Sequence, residues 1–398
     1  MKKMNGWMKI LVLFPPLLFV LLIGWIALNE LGGTEKGKET VSETSLTASI
    51  EESSGESPSE SPAETKQESQ SVTEEPASET VGTSPVHLLF AGDILLSDHV
   101  TAAYNKAGGI NGVLDDGLRS EISRADIFMA NEEFPFSDRG TAAKNKQYTF
   151  RSPTSKVSIM NEIGVDIVSL ANNHSLDFGT DALVDTCTAL DGAGIKYAGA
   201  GPNMDRARQL QTIEAGGKII GFLAASRVYP DAGWVAASQK PGMVSGYDPA
   251  ILLEEIQKAQ EACDYLVVYI HWGIERDEKP QDYQRALGKK FIDAGADLVI
   301  GSHPHVLQGV EYYNGKPICY SLGNFIFGSS IPKTALLRAD VDFDQGTTTL
   351  SLVPGTSKTG YTKALAQPGE IQSFYQYFQG ISFGISVDEN GVIHSNSN

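Results

Sequence analysis

The chain has 398 residues, with 49 Asp and Glu against 31 Lys and Arg, and a formal charge of −18. Residues 34–84 hold a net −9 and the first 33 residues a net +2, which leaves −11 on residues 85–398. An acidic body without a basic block argues against nucleic acid as a partner, because neutralising phosphate is the main source of that affinity. The three cysteines, Cys187, Cys263 and Cys319, stand at no ligand spacing, which rules out a disulfide framework and a thiolate zinc module.

In chain order, the first feature is Ile10–Leu28, a run of 19 uncharged, mostly apolar residues. As a helix at ~1.5 Å per residue it spans about 28 Å, close to the ~30 Å of a bilayer's hydrocarbon. Trp7 and Trp25 lie near its ends, and Lys2, Lys3 and Lys9 precede it. Residues 1–33 are therefore expected to form a single-pass anchor with a cytoplasmic amino terminus and an extracellular carboxyl-terminal domain. A cleaved signal peptide is the alternative, but small residues at A-x-A spacing are missing after the run. Residues 34–84 contain no Phe, Trp or Tyr and are dominated by Ser, Glu, Thr and Pro. Such a segment buries too little apolar surface to offset its chain entropy and reads as a disordered, self-repelling tether.

From Val86 the pattern alternates between strand-like and helix-like runs. Strands are expected at Val86–Ala91, Asp126–Ala130, Asp166–Leu170, Lys218–Ala224, Tyr265–Ile270 and Leu298–Ile300, and helices near Thr154–Ile163, Thr180–Leu190, Pro249–Ala262 and Tyr283–Ala294. Asn314-Gly315 between Val310–Tyr313 and Pro317–Tyr320 is a hairpin signal. Asn203-Met204-Asp205 reads as a helix cap. Polar clusters follow at least five of the strand-like runs, and in open α/β sheets that edge is where ligands bind. The clusters carry Asp93, Glu133, Asn173-His174, His271, His303 and His305. Carboxylates with imidazoles and no thiolate suit manganese, iron or zinc. Of the chain's seven histidines, four fall in these clusters. Arg151, Arg227 and Asn324 are weaker candidates for substrate contact.

Gly92-Asp93-Ile94-Leu95, Leu170-Ala171-Asn172-Asn173-His174 with Asp177 and Gly179, His271-Trp272-Gly273, Gly301-Ser302-His303-Pro304-His305-Val306 and Tyr320-Ser321-Leu322-Gly323-Asn324-Phe325 together resemble the CapA-type poly-γ-glutamate synthesis proteins. The likeness runs from about Val86 to past Phe327. That family's fold is similar to the calcineurin-like metallophosphoesterases, which implies an α/β domain over residues 85–398, a four-layer α/β/β/α sandwich. The resemblance implies metal ligation by Asp93, Glu133, Asn173, His271, His303 and His305, with one or two divalent ions. It casts His174 as a general acid, and Asp177 is placed to orient it. Two positions depart from the phosphoesterase pattern. Leu95 stands where a ligand His is usual, and Glu132 replaces the apolar residue expected before Glu133.

Three functions follow as expectations. The first is a membrane-anchored, extracellular component of poly-γ-glutamate or capsule synthesis or export, with the polyanionic polymer as partner and a metal-binding crevice as anion receptor. The second is a metal-dependent hydrolase of a phosphoester or of an amide in the polymer or cell wall. The third is a structural partner of membrane synthase or export subunits.

The composition of the tether predicts that residues 85–398 fold without the first 84. The truncated protein should melt in one cooperative step by circular dichroism, and an absent or broad transition would remove the boundary.

Overall fold

Leu88–Ala91, Leu266–Ile270 and Leu298–Ile300 are unbroken apolar runs, the composition of strands buried on both faces. In the structure, a computed structural model describing residues 84–144 and 146–396, they become inner strands of two mixed sheets. The expected anchor, and all of the expected tether but Ser84, lie outside these residues. Among the described residues no helix is long and apolar enough to cross a membrane.

The larger sheet runs Ile385–Val387, Val392–Ser395, Thr347–Lys358, Ile331–Asp342, Val86–Ile94, Ile127–Glu132, Ile167–Ser169, Lys196–Ala198. Its last four strands are parallel, and Asn324–Ile326 also pairs with Val86–Ile94. The second sheet runs Leu307–Tyr313, Lys316–Leu322, Leu298–Ser302, Tyr265–His271, Lys218–Ser226, Gln211–Ala215, with its four inner strands parallel.

Strand Tyr265–His271 shows why the molecule is a sandwich. Tyr265, Val267 and Tyr269 enter the core shared with the larger sheet, whereas Leu266, Val268 and Ile270 join a second core with Leu252 and Ile256 of helix Ala250–Ala259 and Phe291 of helix Asp282–Ala294. The two-residue period of a strand thus divides one apolar run between two interfaces. The sheets meet where Val86–Ile94 lies against Leu298–Ser302 and Lys316–Leu322. There the fully buried Tyr269 donates its hydroxyl to the Ala91 carbonyl at 2.9 Å.

The expected strands and helices through the hairpin are all present, with ends moved by a few residues. Asn314 and Gly315 adopt φ of 50° and 74°, the left-handed pair a two-residue hairpin requires. The Asn203 side chain accepts from the Arg206 amide at 2.9 Å and caps its short helix. Beyond Phe327 the sequence reading named no elements, yet Ile331–Asp342 and Thr347–Lys358 are the longest strands described and Pro368–Gly380 is a helix. Thr347–Lys358 is rich in Thr and Ser and contains Pro354 and Gly355, so its pattern is weak until its partners are known.

One partly buried ion network ties helix Asp282–Ala294 to the hairpin. Arg285 donates to both Glu311 oxygens at 2.9 Å, Lys289 Nζ lies 2.9 Å away, and the Tyr320 hydroxyl donates at 2.8 Å. Burial pushes the Glu311 pKa up, but Arg285, Lys289 and Tyr320 outweigh it and hold the carboxyl at about 2. A depressed folded-state pKa stabilises above the ordinary glutamate value, and that stability is lost as pH falls toward 2. Glu311→Gln should cost about 1–3 kcal/mol at pH 7, the range for charged hydrogen bonds. It should cost much less at pH 2.5. Urea unfolding at both values measures this, and an equal cost at the two pH values would refute the assignment.

Candidate metal centre

The candidate ligands come from both sheets and stand at or just past strand ends. Asp93 closes Val86–Ile94, Glu133 follows Ile127–Glu132, and Asn173 follows Ile167–Ser169. His271 ends its own strand, and His303 and His305 follow Leu298–Ser302. Glycines one or two residues upstream allow this convergence. A Cβ on Gly92 would lie 1.7 Å from the Gly323 carbonyl oxygen, the same oxygen to which the Asp93 amide donates at 2.8 Å. A Cβ on Gly301 would lie 2.1 Å from the Tyr320 oxygen. His303 and His305 are held at φ of 100° and 58°, conformations that side-chain-bearing residues rarely adopt and that cluster at functional sites. The turn between them is braced by the Arg276 amide, which donates to the Pro304 carbonyl at 2.7 Å.

The six residues converge. One donor atom from each of Glu133, His303 and His305 lies within 4.8 Å of the others, and so do those of Asp93, Glu133 and His271. Glu133 belongs to both triads. His271 Nε2 is 2.9 Å from Asn173 Oδ1 and 3.6 Å from Glu133 Oε1, and Ser302 Oγ meets its Nδ1 at 2.9 Å. His305 Nδ1 is 2.7 Å from Asn324 Oδ1 and 3.3 Å from Asp93 Oδ2. Asn131 donates to Asp93 Oδ1 at 2.8 Å. Asp93 Oδ2, both Glu133 oxygens and His303 Nδ1 are buried without a hydrogen-bond partner.

That pattern is the test of fit for a cation. Buried carboxylate oxygens normally find donors, yet both Glu133 oxygens have none and Asp93 Oδ2 meets only the His305 ring at 3.3 Å. Burial and the neighbouring Asp93 push the Glu133 pKa well up. Burial pushes His271 well down and His303 down to about 3, so both imidazoles are neutral, as a metal requires. Burial also pulls His305 down, but Glu133 and Asp93 outweigh it and set its pKa at about 10. The carboxylates thus favour positive charge at this spot, which a divalent ion would supply. The oxygen and imidazole donors fit such an ion, and no thiolate is near.

His174 stands beside the cluster with its Nδ1 2.7 Å from Asp177 Oδ2. Asp177 is fully buried and also accepts the Phe150 amide at 2.7 Å. Lys146 Nζ joins this pair, donating to Asp177 Oδ1 and to the Asn173 carbonyl and lying 2.9 Å from His174 Nδ1. Burial lowers the pKa of Lys146 against the pull of Asp177, and burial likewise lowers that of His174. Sequence reading missed Lys146 because it sits in an irregular loop with no motif around it. It also passed over Asn131 and Ser302, although both lie inside strand-end clusters it had singled out.

The remaining candidates divide. Asn324 is buried and engages His305, so it orients an imidazole. Arg227 lies at the same sheet edge, its amide donating to the His271 carbonyl at 2.7 Å. Arg151 donates to the Arg139 carbonyl at 3.0 Å and lies 4.2 Å from the Phe178 ring, with no bond to the six. Between the adjacent acids, Glu133 faces the cluster, whereas Glu132 points to the other face of its strand, near Cys187, whose pKa is raised chiefly by burial and only slightly by Glu132. Leu95 is a core residue, so it adds no ligand.

Replacing Glu133 with Gln removes a carboxylate that no donor meets. In EDTA, the melting temperature of Glu133→Gln should equal or exceed the wild-type value, while the rise on adding Mn²⁺ should vanish. For scale, a site at 100-fold excess over Kd contributes about 2.7 kcal/mol. Calorimetry decides it: a wild-type-sized Mn²⁺ shift in the variant would take Glu133 out of the centre.

Comparison with known proteins places the chain in a family. Residues 87–329 match the family described as bacterial capsule synthesis protein PGA_cap, a span that contains all six converging residues. The capsule biosynthesis protein CapA of Bacillus anthracis is 32% identical over 286 residues, covering 69% of this chain and 68% of that protein. The PGA biosynthesis protein CapA of Bacillus subtilis is 29% identical over 265 residues, covering 66% and 68%. Among solved structures, a phosphatase from Mycoplasma pneumoniae aligns with a TM-score of 0.46 at 14% identity, covering 69% of this chain and 95% of that one. With the family match spanning more than half of its length, the chain belongs to the bacterial capsule synthesis proteins of the PGA_cap family.

Proposed function

We propose that the chain is a membrane-anchored, extracellular component of poly-γ-glutamate capsule synthesis or export, and that its centre holds one or two divalent ions and meets the polymer there. The observation that carries this reading is the buried cluster of Asp93, Glu133, His271, His303 and His305, with carboxylate oxygens that no donor satisfies, in a chain of the PGA_cap family. The names of the Bacillus relatives supply the polymer. The apolar run Ile10–Leu28 behind three lysines supports the anchor, and the acidic segment 34–84 supports a tether holding residues 85–398 clear of the membrane. We read the sandwich as the four-layer α/β/β/α type of the metallophosphoesterases.

In this reading each residue has a definite task. Asp93, Glu133, Asn173, His271, His303 and His305 bind the ion or ions. When bound, a divalent ion supplies Lewis acidity and a positive focus for anionic groups. Ser302 and Asn324 set the imidazole planes of His271 and His305, and Asn131 holds Asp93. An acidic body repels a polyanion, so a positive focus at the crevice is what makes the approach favourable.

A second reading, a metal-dependent hydrolase acting on the polymer or wall, is favoured by the His174–Asp177 pair beside Asn173. With Nδ1 engaged by Asp177, Nε2 is the atom left to hold or hand over a proton. A pure scaffold has no use for that arrangement.

Two substitutions separate the readings. His303→Ala should lower metal content, because a donor atom disappears, and should impair polymer output under both. His174→Ala should leave metal content near wild type. Under the hydrolase reading it should cut turnover about 10²–10⁴-fold, the usual contribution of a general acid. Under the receptor reading it should leave polymer output unchanged. Metal analysis and polymer output for each variant make the comparison, and equal metal loss in both would overturn the role given to His174.

A further inference from the structure

Arg227 has an environment that the centre does not explain. Most arginines with resolved side-chain contacts reach a carboxylate: Arg124 meets Glu121, Arg139 meets Asp185, Arg208 meets Glu255 and Arg285 meets Glu311. Among the described residues no carboxylate lies within ion-pair distance of Arg227. Its guanidinium carbon instead contacts two aromatic rings, 3.7 Å from the centroid of Tyr283 and 5.0 Å from that of Tyr247. Arg151 and Arg206 also lie over rings without a carboxylate, but their guanidiniums donate to backbone carbonyls; among the described residues that of Arg227 has no such acceptor, which leaves its donors for a group outside the chain.

The clamp is tied to the centre by hydrogen bonds. The Arg227 amide donates to the carbonyl of His271 at 2.7 Å, and the Gly246 amide donates to the carbonyl of Ser226 at 2.7 Å. The Tyr283 hydroxyl accepts the Gly273 amide at 2.8 Å, which fixes that ring to the loop following His271. Tyr247 packs edge-on to Tyr229 at 5.1 Å, and the Tyr229 hydroxyl is 2.7 Å from Ser245 Oγ. Tyr247 is nonetheless 55% exposed, so the clamp opens to solvent. A cation–π contact does not use a guanidinium's N–H donors, whose in-plane fork matches a carboxylate.

We infer that Arg227, held against Tyr247 and Tyr283, is a carboxylate-binding subsite that seats a side-chain carboxylate of a γ-linked glutamate chain beside the metal centre. This rests on the polymer reading above and adds to it the group that fixes the chain's position. No covalent step is involved. The subsite aligns one repeat so that the neighbouring linkage faces the crevice.

The test uses the full-length chain in detergent, loaded with Mn²⁺, and a short γ-linked glutamate oligomer as probe. Affinity is measured by calorimetry and bound metal by atomic absorption. Arg227→Gln should weaken oligomer binding about tenfold or more, the loss expected for a charge-assisted bidentate pair, with bound metal unchanged. Arg227→Lys should recover only part of it, because an ammonium lacks the fork. Tyr247→Ala, at an exposed position that does not threaten folding, should weaken binding about two- to fivefold through the lost cation–π contact. Inorganic polyphosphate serves as a second probe. If the variants lose polyphosphate binding but keep the oligomer, the subsite takes phosphate and the inference is overturned. If wild type binds the oligomer and both Arg227→Gln and Tyr247→Ala match it, the subsite fails while the polymer reading stands. If wild type does not bind the oligomer at all, both fall together.

Discussion

Asp93 and Glu133 face each other in the interior with both Glu133 oxygens unmet by any donor, and much else in this structure is arranged around that fact. Like charges at close quarters in a dry site are strongly unfavourable unless a cation or protons intervene. Burial lowers the pKa of His271 and His303, while at His305 the carboxylates outweigh burial and raise it. The centre is therefore destabilised by design, and the surrounding fold must be stiff enough to hold it. Functional sites of this kind draw on stability supplied elsewhere.

The stiffness has identifiable sources. Two sets of parallel strands, each buried on both faces, converge on the same crevice with their carboxyl ends, and the fully buried Tyr269 joins them across the inter-sheet core immediately below Asp93. Gly92 and Gly301 admit the neighbouring backbones at distances no other residue would tolerate. Supporting groups then fix the imidazoles, Ser302 for His271 and Asn324 for His305. Partners of this kind orient ligands and keep the donor atoms within reach of one ion.

Charge distribution links the centre to its proposed polymer. Residues 85–398 carry −11, so a polyanion is repelled everywhere except where cations are held against the general field. Two such cations come from the loops around the centre. Lys146 is tied to Asp177 and the Asn173 carbonyl, and Arg227 lies against two tyrosines without a carboxylate. The first is committed to internal partners; the second keeps its donors.

Local pattern alone located most of this architecture. Apolar runs ending in polar clusters marked the inner strands and the edge at which Asp93, Asn173, His271, His303 and His305 emerge, and Asn314-Gly315 marked the hairpin. These are short-range properties, set by residue period and backbone preference, so they are readable without knowing the neighbours. Orientation was not. That Glu133 faces the crevice and Glu132 the opposite side depends on strand register against Val86–Ile94 and Ile167–Ser169, since a one-residue slip exchanges the faces. Lys146 reaches Asp177, and Asn324 reaches His305, only because loops far apart in sequence are brought together by the sheets. Likewise Arg227 is assigned its tyrosines from positions 247 and 283 by packing, which no local period encodes. Element type follows from the nearest few residues, but the environment of a charge is a sum over everything that folds around it, and that sum exists only in the tertiary structure.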